Sequence, residues 1–350
     1  MLALPALLIA PRLSAQSPPS QIGLYGINHV AATVTDLARS VEFYQRLFGT
    51  PIQHRQGTNA VVLRVGSGPH SIILRRGPKP AITTMCLSVA DFNPDRLVAT
   101  LEGHGVTRGD AESGAVSPGV MKVQLRRRSA DRGGATEGTP EVVFGDPNNL
   151  AVQLQDARYC GGAGVRGDVC GRLEPSPKGV MALVDFSHFT VIGGRSDRAT
   201  AFYRQLFGMG IQAYQGPLPM LAVGRGPAFL VFAGGGGQRP PAAGAGAAAM
   251  PAVPPASINH VALTLKGFDP EKVTRMLLDA GLKERAQGAA GVPGPLETYV
   301  SWRTTERGGG GPGAPKGTPE LYFTDPDGLL LQLQDVSYCG GSGFLGSVCP

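Results

Sequence analysis

The sequence is short of charge, of aromatic side chains and of long apolar runs. Charged residues make up 17% and aromatic ones 6%, with a single tryptophan. No apolar run approaches the roughly 20 residues a membrane span needs, so no span is expected. Basic clusters are scarce as well. The tightest, Arg126-Arg127-Arg128, falls in an apparent strand, VMKVQLRRR, where neighbouring residues point to opposite faces. The net charge of +6 therefore forms no continuous stripe, and no nucleic-acid partner is expected. No CxxC pair occurs, which removes the commonest redox and zinc-knuckle signatures.

Glycine and proline are abundant, at 51 and 30 residues, and much of the excess falls in visible tracts. With 42% hydrophobic residues, this composition suits a globular core joined by linkers and turns. A length of 350 residues suggests about two domains. The opening MLALPALLIAPRLSAQS joins a short apolar run to a small-residue LSA site, as a secretory signal does, although a basic n-region is missing. Residues 1–20 are thus expected to be a signal peptide, cut after Ala15, and the chain to be secreted or periplasmic.

Four of the five cysteines repeat one pattern, YCGGAGVRGDVC (Cys160, Cys170) and YCGGSGFLGSVC (Cys339, Cys349). The glycine-rich loops let the chain turn back, so two local disulfides are expected. Each closes a loop of about ten residues, worth roughly 2.5–3 kcal/mol in the chain-entropy model. A four-cysteine zinc site would require the two tails to meet. Such bridges suit an oxidising compartment. Cys86, in the apolar stretch ITTMCLSV, reads as a buried small hydrophobe.

The chain is two copies of one unit. GTPEVVFGDPNNLAVQLQDARYCGG matches GTPELYFTDPDGLLLQLQDVSYCGG, and INHVAATVTDLARSVEFYQRLFG matches FSHFTVIGGRSDRATAFYRQLFG. The units span 22–172 and 182–350, with 173–181 as linker. Each divides again at a strand-like opening: INHVAATV, ITTMCLSV, FSHFTVIG and INHVALTL. A helix follows each opening. Asp36 caps the first, whose stripe is Leu37, Val41, Tyr44 and Phe48, ending at Gly49. Asn93 and Pro94 start the second, Ser196 or Asp197 caps the third, and Asp269 with Pro270 starts the fourth. Short apolar strands follow, giving the order βαβββ four times. The Gly/Ala/Pro-rich insert 234–257 is expected to be flexible. ERGGGGPGAPKG reads as a mobile flap or an inert insertion.

Strand alternation sorts the opening strands into faces. His29, Ala31 and Thr33 oppose Val30, Ala32 and Val34; His188 and Thr190 oppose Phe189 and Val191; His260, Ala262 and Thr264 oppose Val261, Leu263 and Leu265. A histidine among small, polar neighbours suggests a cavity wall. The closing strand GLLLQLQD likewise puts Leu330, Gln332 and Gln334 on one face.

The motifs NHV…FY…LFG and F.DPDG, repeated over nearly the whole chain, resemble the vicinal oxygen chelate superfamily, which includes glyoxalases, bleomycin-resistance proteins and extradiol dioxygenases. The resemblance implies an α+β fold in which four βαβββ modules pair into two cupped mixed sheets. It implies metal ligands at His188, His260 and Gln332, with Tyr322 as a catalytic proton or hydrogen-bond donor. Two departures stand out. Gln332 takes the place of the usual glutamate, and the extradiol signature's histidine before the tyrosine is absent. The first half departs further: His29 and Gln153 match, but Thr84 replaces the second histidine and Val143 the tyrosine, so that half is expected to be degenerate.

The implied cofactor is a divalent ion, Fe(II) for a dioxygenase, with Zn(II), Mn(II), Ni(II) or Cu(II) equally compatible with imidazole and oxygen donors. The implied partner is a small molecule that chelates through two adjacent oxygens, in a dioxygenase-like or glyoxalase-like reaction. Two alternatives remain open: a non-catalytic small-ligand-binding protein of the same fold, and a purely structural secreted module. Each half supplies two modules, so a complete cup needs no second chain.

Overall fold

The computed structural model describes residues 22–110, 115–234, 253–286 and 288–350. The expected signal peptide and most of the 234–257 insert lie outside these residues. The first half runs β1 (Leu24–Val34), α1 (Leu37–Phe48), β2 (Ile52–Gln56), β3 (Ala60–Arg64), β4 (Ser71–Arg76), β5 (Ala81–Val89), α2 (Pro94–Gly103), β6 (Thr107–Arg108), β7 (Lys122–Arg128), β8 (Thr139–Gly145) and β9 (Ala151–Asp156). The second half repeats it with β10 (Leu183–Ile192), α3 (Ser196–Phe207), β11 (Ile211–Gln215), β12 (Leu218–Ala222), β13 (Phe229–Ala233), β14 (Ser257–Leu265), α4 (Pro270–Asp279), β15 (Lys283–Glu284), β16 (Glu297–Arg303), β17 (Thr318–Thr324) and β18 (Leu330–Asp335). The βαβββ order holds in all four modules, and the second module of each half gains a two-residue strand, β6 or β15.

Each half forms one nine-stranded mixed sheet, in the orders β2-β3-β4-β1-β5-β9-β8-β7-β6 and β11-β12-β13-β10-β14-β18-β17-β16-β15. The two modules of a sheet meet at their opening strands, β1 against β5 and β10 against β14, both antiparallel. This is the α+β architecture of paired modules expected from the repeats.

Strand alternation separates two environments. Val30, Ala32 and Val34 join the helix-side core, as do Met85, Leu87, Val261, Leu263 and Leu331. On the opposite, cupped face, Ala31, Val62 and Ile73 form one small cluster and Ala213, Met220, Phe229, Val231 and Tyr338 another. The helix-side core is continuous across the two halves because the helices are shared. Phe43 and Phe48 of α1 meet Phe323 of β17 at 6.5 and 5.9 Å, and Phe202 and Phe207 of α3 meet Phe144 of β8 at 6.1 and 6.5 Å. Each fully buried large apolar side chain contributes about 1.5–3 kcal/mol.

The closing turns lock these contacts. Asp325 Oδ1 accepts the amides of Asp327 and Leu329, and its Oδ2 accepts Tyr44 Oη at 3.3 Å. Asp146 repeats the arrangement with Asn148, Leu150 and Tyr203 Oη. Burial raises both carboxyls to about 6.

Helix caps follow the sequence with one correction. Asp36, Asn93 and Asp269 each accept an amide of the first turn, and Gly49 ends α1 at φ 64°. The cap of α3 is Arg195, not Ser196 or Asp197, and no side chain caps it. Ser196 Oγ is diverted to Gly234 O, and Asp197 pairs with Arg195.

Both expected disulfides are present, Cys160–Cys170 and Cys339–Cys349, and Cys86 is free and buried. Residues 306–317, expected as a flap or an inert insertion, wrap the end of β16. Gly310 N donates to Thr318 Oγ1, and Gly310 O accepts Gly343 N at 2.6 Å, tying this stretch to the second disulfide loop.

Candidate metal centre

Strand register brings the expected residues together in the second sheet. His188 on β10 lies opposite Ala262 on β14, Ala262 beside Gln332 on β18, and Gln332 opposite Tyr322 on β17. Paired residues share a face, so His188, Gln332 and Tyr322 form one row across the cup, and His260 stands two residues along β14 on the same face.

The two imidazoles point at each other, with His188 Nε2 and His260 Nε2 3.4 Å apart. The other ring nitrogens are held: His260 Nδ1 lies 2.8 Å from Asn259 Oδ1, and His188 Nδ1 lies 3.0 Å from Ser187 Oγ. The amide oxygen is an acceptor, so His260 carries its proton on Nδ1 and turns a lone pair inward. Gln332 touches both rings, yet its Oε1 and Nε2 make no hydrogen bond of standard geometry and are fully buried. Burial, with His260 beside it, holds His188 well below the usual histidine range, and burial brings His260 to about 4. Both rings are therefore neutral at ordinary pH, the state in which imidazole binds a metal.

This donor set fits a divalent ion. Two inward nitrogens at 3.4 Å match the edge of a polyhedron whose ligands lie about 2.1 Å from the centre. Orphaned buried amide atoms cost about 1–3 kcal/mol each when nothing satisfies them. Among the described residues no cluster of three His, Cys, Asp or Glu stands together, so a third donor beside the two imidazoles would have to be the neutral Gln332.

Tyr322 lies edge-on to His260, with ring centroids 5.3 Å apart, and stacks on Tyr299 at 5.1 Å. Its hydroxyl donates to Glu320 Oε2 at 3.2 Å. Burial and the neighbouring Glu320 push its pKa far up, so it stays protonated. Glu320 is the partner of Tyr322 that the sequence did not reveal. Its Oε1 also accepts Arg303 Nε and Tyr338 Oη, each at 2.9 Å. The signal was the repeated GTPE, whose glutamate recurs as Glu141 with Arg128 and Tyr159.

The cup is closed by its own chain. Tyr338 sits with its ring 5.7 Å from that of His188 and 6.0 Å from Phe229. Arg303 Nη2 donates to Gly341 O at 2.7 Å, and Gln212 Nε2 to Cys339 O at 2.8 Å. Gly340, at φ 81°, has no room for a Cβ against Met220. The disulfide loop therefore seats as a knob over His188, His260 and Gln332, which are only 3, 5 and 1% exposed. A cavity of about 860 Å³ lies elsewhere, between α4 and β16, lined by Arg275, Leu278, Arg285, Tyr299 and Trp302. It touches the site only through the Tyr299–Tyr322 stack.

In the first sheet the same row reads His29, Cys86, Gln153, Val143. Thr84 stands where His260 stands in the second sheet, so no pair of imidazoles forms. Cys86, expected as a core residue, is buried on the cup face of this row, between His29 and Gln153.

Residues 26–113 match the family model of the glyoxalase/bleomycin resistance protein/dioxygenase superfamily. Over the whole chain, solved structures share the architecture. A catechol 2,3-dioxygenase superposes with a TM-score of 0.58 at 14% identity, covering 92% of this chain and 89% of that one. The fold is that of the vicinal oxygen chelate superfamily. The Mn(II)-bound glyoxalase from Novosphingobium aromaticivorans gives 0.57 at 16% identity, with 89% and 82% covered. The homoprotocatechuate 2,3-dioxygenase from Arthrobacter globiformis gives 0.53 at 17%, with 91% and 81% covered. No curated protein matches the chain by sequence. At these identities a vicinal oxygen chelate likeness carries the fold and leaves the reaction to the site.

Proposed function

We propose that the second half of the chain, 182–350, holds one divalent ion through His188, His260 and Gln332. We propose further that it acts on a small molecule offering two adjacent oxygens, in a ring-cleaving-dioxygenase-like or glyoxalase-like reaction. The observation that carries this reading is the facing pair of Nε2 atoms, 3.4 Å apart, beside a buried amide that touches both rings without a hydrogen bond of standard geometry. A bound ion would supply a Lewis acid that stabilises negative charge on paired substrate oxygens. With glutamine for glutamate, the site has one less negative charge, which weakens ion binding and strengthens the Lewis acid.

The chain's own groups prepare the rest. Asn259 and Ser187 fix the ring orientations. Tyr322, expected as a donor, already spends its proton on Glu320, so its oxygen is placed to accept a hydrogen bond from a substrate hydroxyl. Substrate entry requires the Tyr338 knob to lift. The two disulfides suit an oxidising compartment, and we place the working protein outside the cytosol.

Elemental analysis tests the centre. Wild-type protein should carry or take up one divalent ion per chain, His260→Ala should carry none, and His29→Ala should keep it. No uptake of Fe(II), Mn(II), Zn(II), Ni(II) or Cu(II), and no thermal stabilisation by any of them, would reject the proposal. The covered mouth supports a second reading, a binding protein without turnover. Metal-loaded protein that binds catechols without oxygen uptake or ring cleavage would favour it.

A further inference from the structure

We propose that the first cup is a binding site for a small oxoanion, a carboxylate or phosphate group, held by Arg75 and Arg126. Strand register puts both guanidinium-bearing side chains on the cup face. Arg75 on β4 pairs with Thr33 of β1, on the same face as His29 and Ala31. Arg126 on β7 pairs with Glu141 of β8, in step with Gln124 opposite Val143 of the histidine row. The equivalent positions of the second cup hold Ala233 and Ser301.

The charge count of the two cups differs accordingly. In each, one arginine is matched by one glutamate: Arg128 with Glu141, and Arg303 with Glu320. The second cup stops there. The first has two further arginines, half-buried, with no carboxylate of their own among the described residues: both lie in the field of the one Glu141 that already pairs with Arg128. Among the described residues the Arg126 guanidinium bonds to Gln124 Oε1 and Ala115 O, and the Arg75 guanidinium makes no hydrogen bond. Burial lowers the pKa of both. Partly buried charge without a counter-ion is unfavourable, and guanidinium is the side chain best matched to an oxoanion.

Unused donors face the same space. Among the described residues Ser71 Oγ, on the histidine row, is buried without a hydrogen bond, and Gln153 on the same row lies against His29, its Nε2 making no hydrogen bond of standard geometry. His29 is brought to about 3, by burial first and by Arg75 next, which registers the positive potential of the cup. That potential repels a cation, so the first cup is not a second metal centre.

The test is a titration of metal-free protein, disulfides closed, at constant ionic strength, with inorganic phosphate and separately with benzoate. Its outcome is therefore independent of the metal reading. One site per chain is expected for at least one anion, at least tenfold weaker in Arg75→Gln and in Arg126→Gln. Which anion binds identifies the oxoanion class. Without anion, Arg75→Gln should melt at or above wild type, because an unmatched charge has gone, whereas a purely structural arginine would lower the melting temperature on removal. Failure of both anions to bind, binding that survives both substitutions, or a lower anion-free melting temperature for Arg75→Gln would overturn the proposal.

Discussion

The two cups are copies of one design with opposite contents. Both have a histidine on the opening strand, a glutamine on the closing strand, a buried Arg–Glu–Tyr clasp and a disulfide knob. The second cup adds His260 and is matched in charge. The first replaces that histidine with Thr84 and adds Arg75 and Arg126. The frame is common to both halves, and the charge on the cup face is what differs between them. What distinguishes them is a handful of face positions, not the fold.

The comparison breaks most visibly at the metal. His260→Ala should abolish ion binding by the second cup, and Thr84→His alone should fail to create a second site; Thr84→His with Arg75→Gln should succeed. Counting bound equivalents in the three variants checks this, and two equivalents in the Thr84→His single variant would contradict the role given to the arginines.

The clasp is shared, but its surroundings are not. Arg303→Met leaves the buried Glu320 unmatched and should destabilise by about 3–5 kcal/mol in urea, whereas Arg128→Met leaves Glu141 in the field of Arg75 and Arg126 and should cost less. Equal losses would contradict the surplus of positive charge assigned to the first cup. Gln332→Glu restores a charged ligand and should tighten divalent binding about 10–100-fold, the range over which changes around metal sites act; competition with a chelator measures it.

The helix contacts between the halves offer smaller tests. Tyr44→Phe and Tyr203→Phe each remove a hydroxyl from a buried aspartate and should cost about 0.5–1.5 kcal/mol by chemical denaturation. The same aspartates set a pH dependence. Asp146 and Asp325 rise from 3.8 to about 6 in the folded chain, so the native state binds more protons than the unfolded one between those values. Their contribution is full below about pH 4 and is lost as pH rises through 6. Stability measured across that window should fall less steeply in Asp146→Asn and Asp325→Asn.

Much of the site was legible in advance because strand alternation has a fixed period. Parity sorted each strand into two faces, and the resemblance to the vicinal oxygen chelate superfamily set His188, His260 and Gln332 on a common one. Glu320 was not legible, although it lies two residues from Tyr322 on that face, because nothing local shows that Arg303, Tyr338 and Tyr322 converge on it. Arg126 and Arg128 were correctly split from Arg127, but their difference in pairing depends on Glu141 from the neighbouring strand.

The order of elements, three of the four helix caps, the duplicated halves and the short-range disulfides follow from the sequence by itself, since each depends on residues near one another along the chain. Tertiary structure alone decided that α1 and α3, packed on their own sheets, also reach the other half, that the cysteine loops seat over the cups, and which buried arginines meet a carboxylate. Those outcomes depend on side chains brought together from strands far apart in sequence, and charge compensation is a property of the assembled cup.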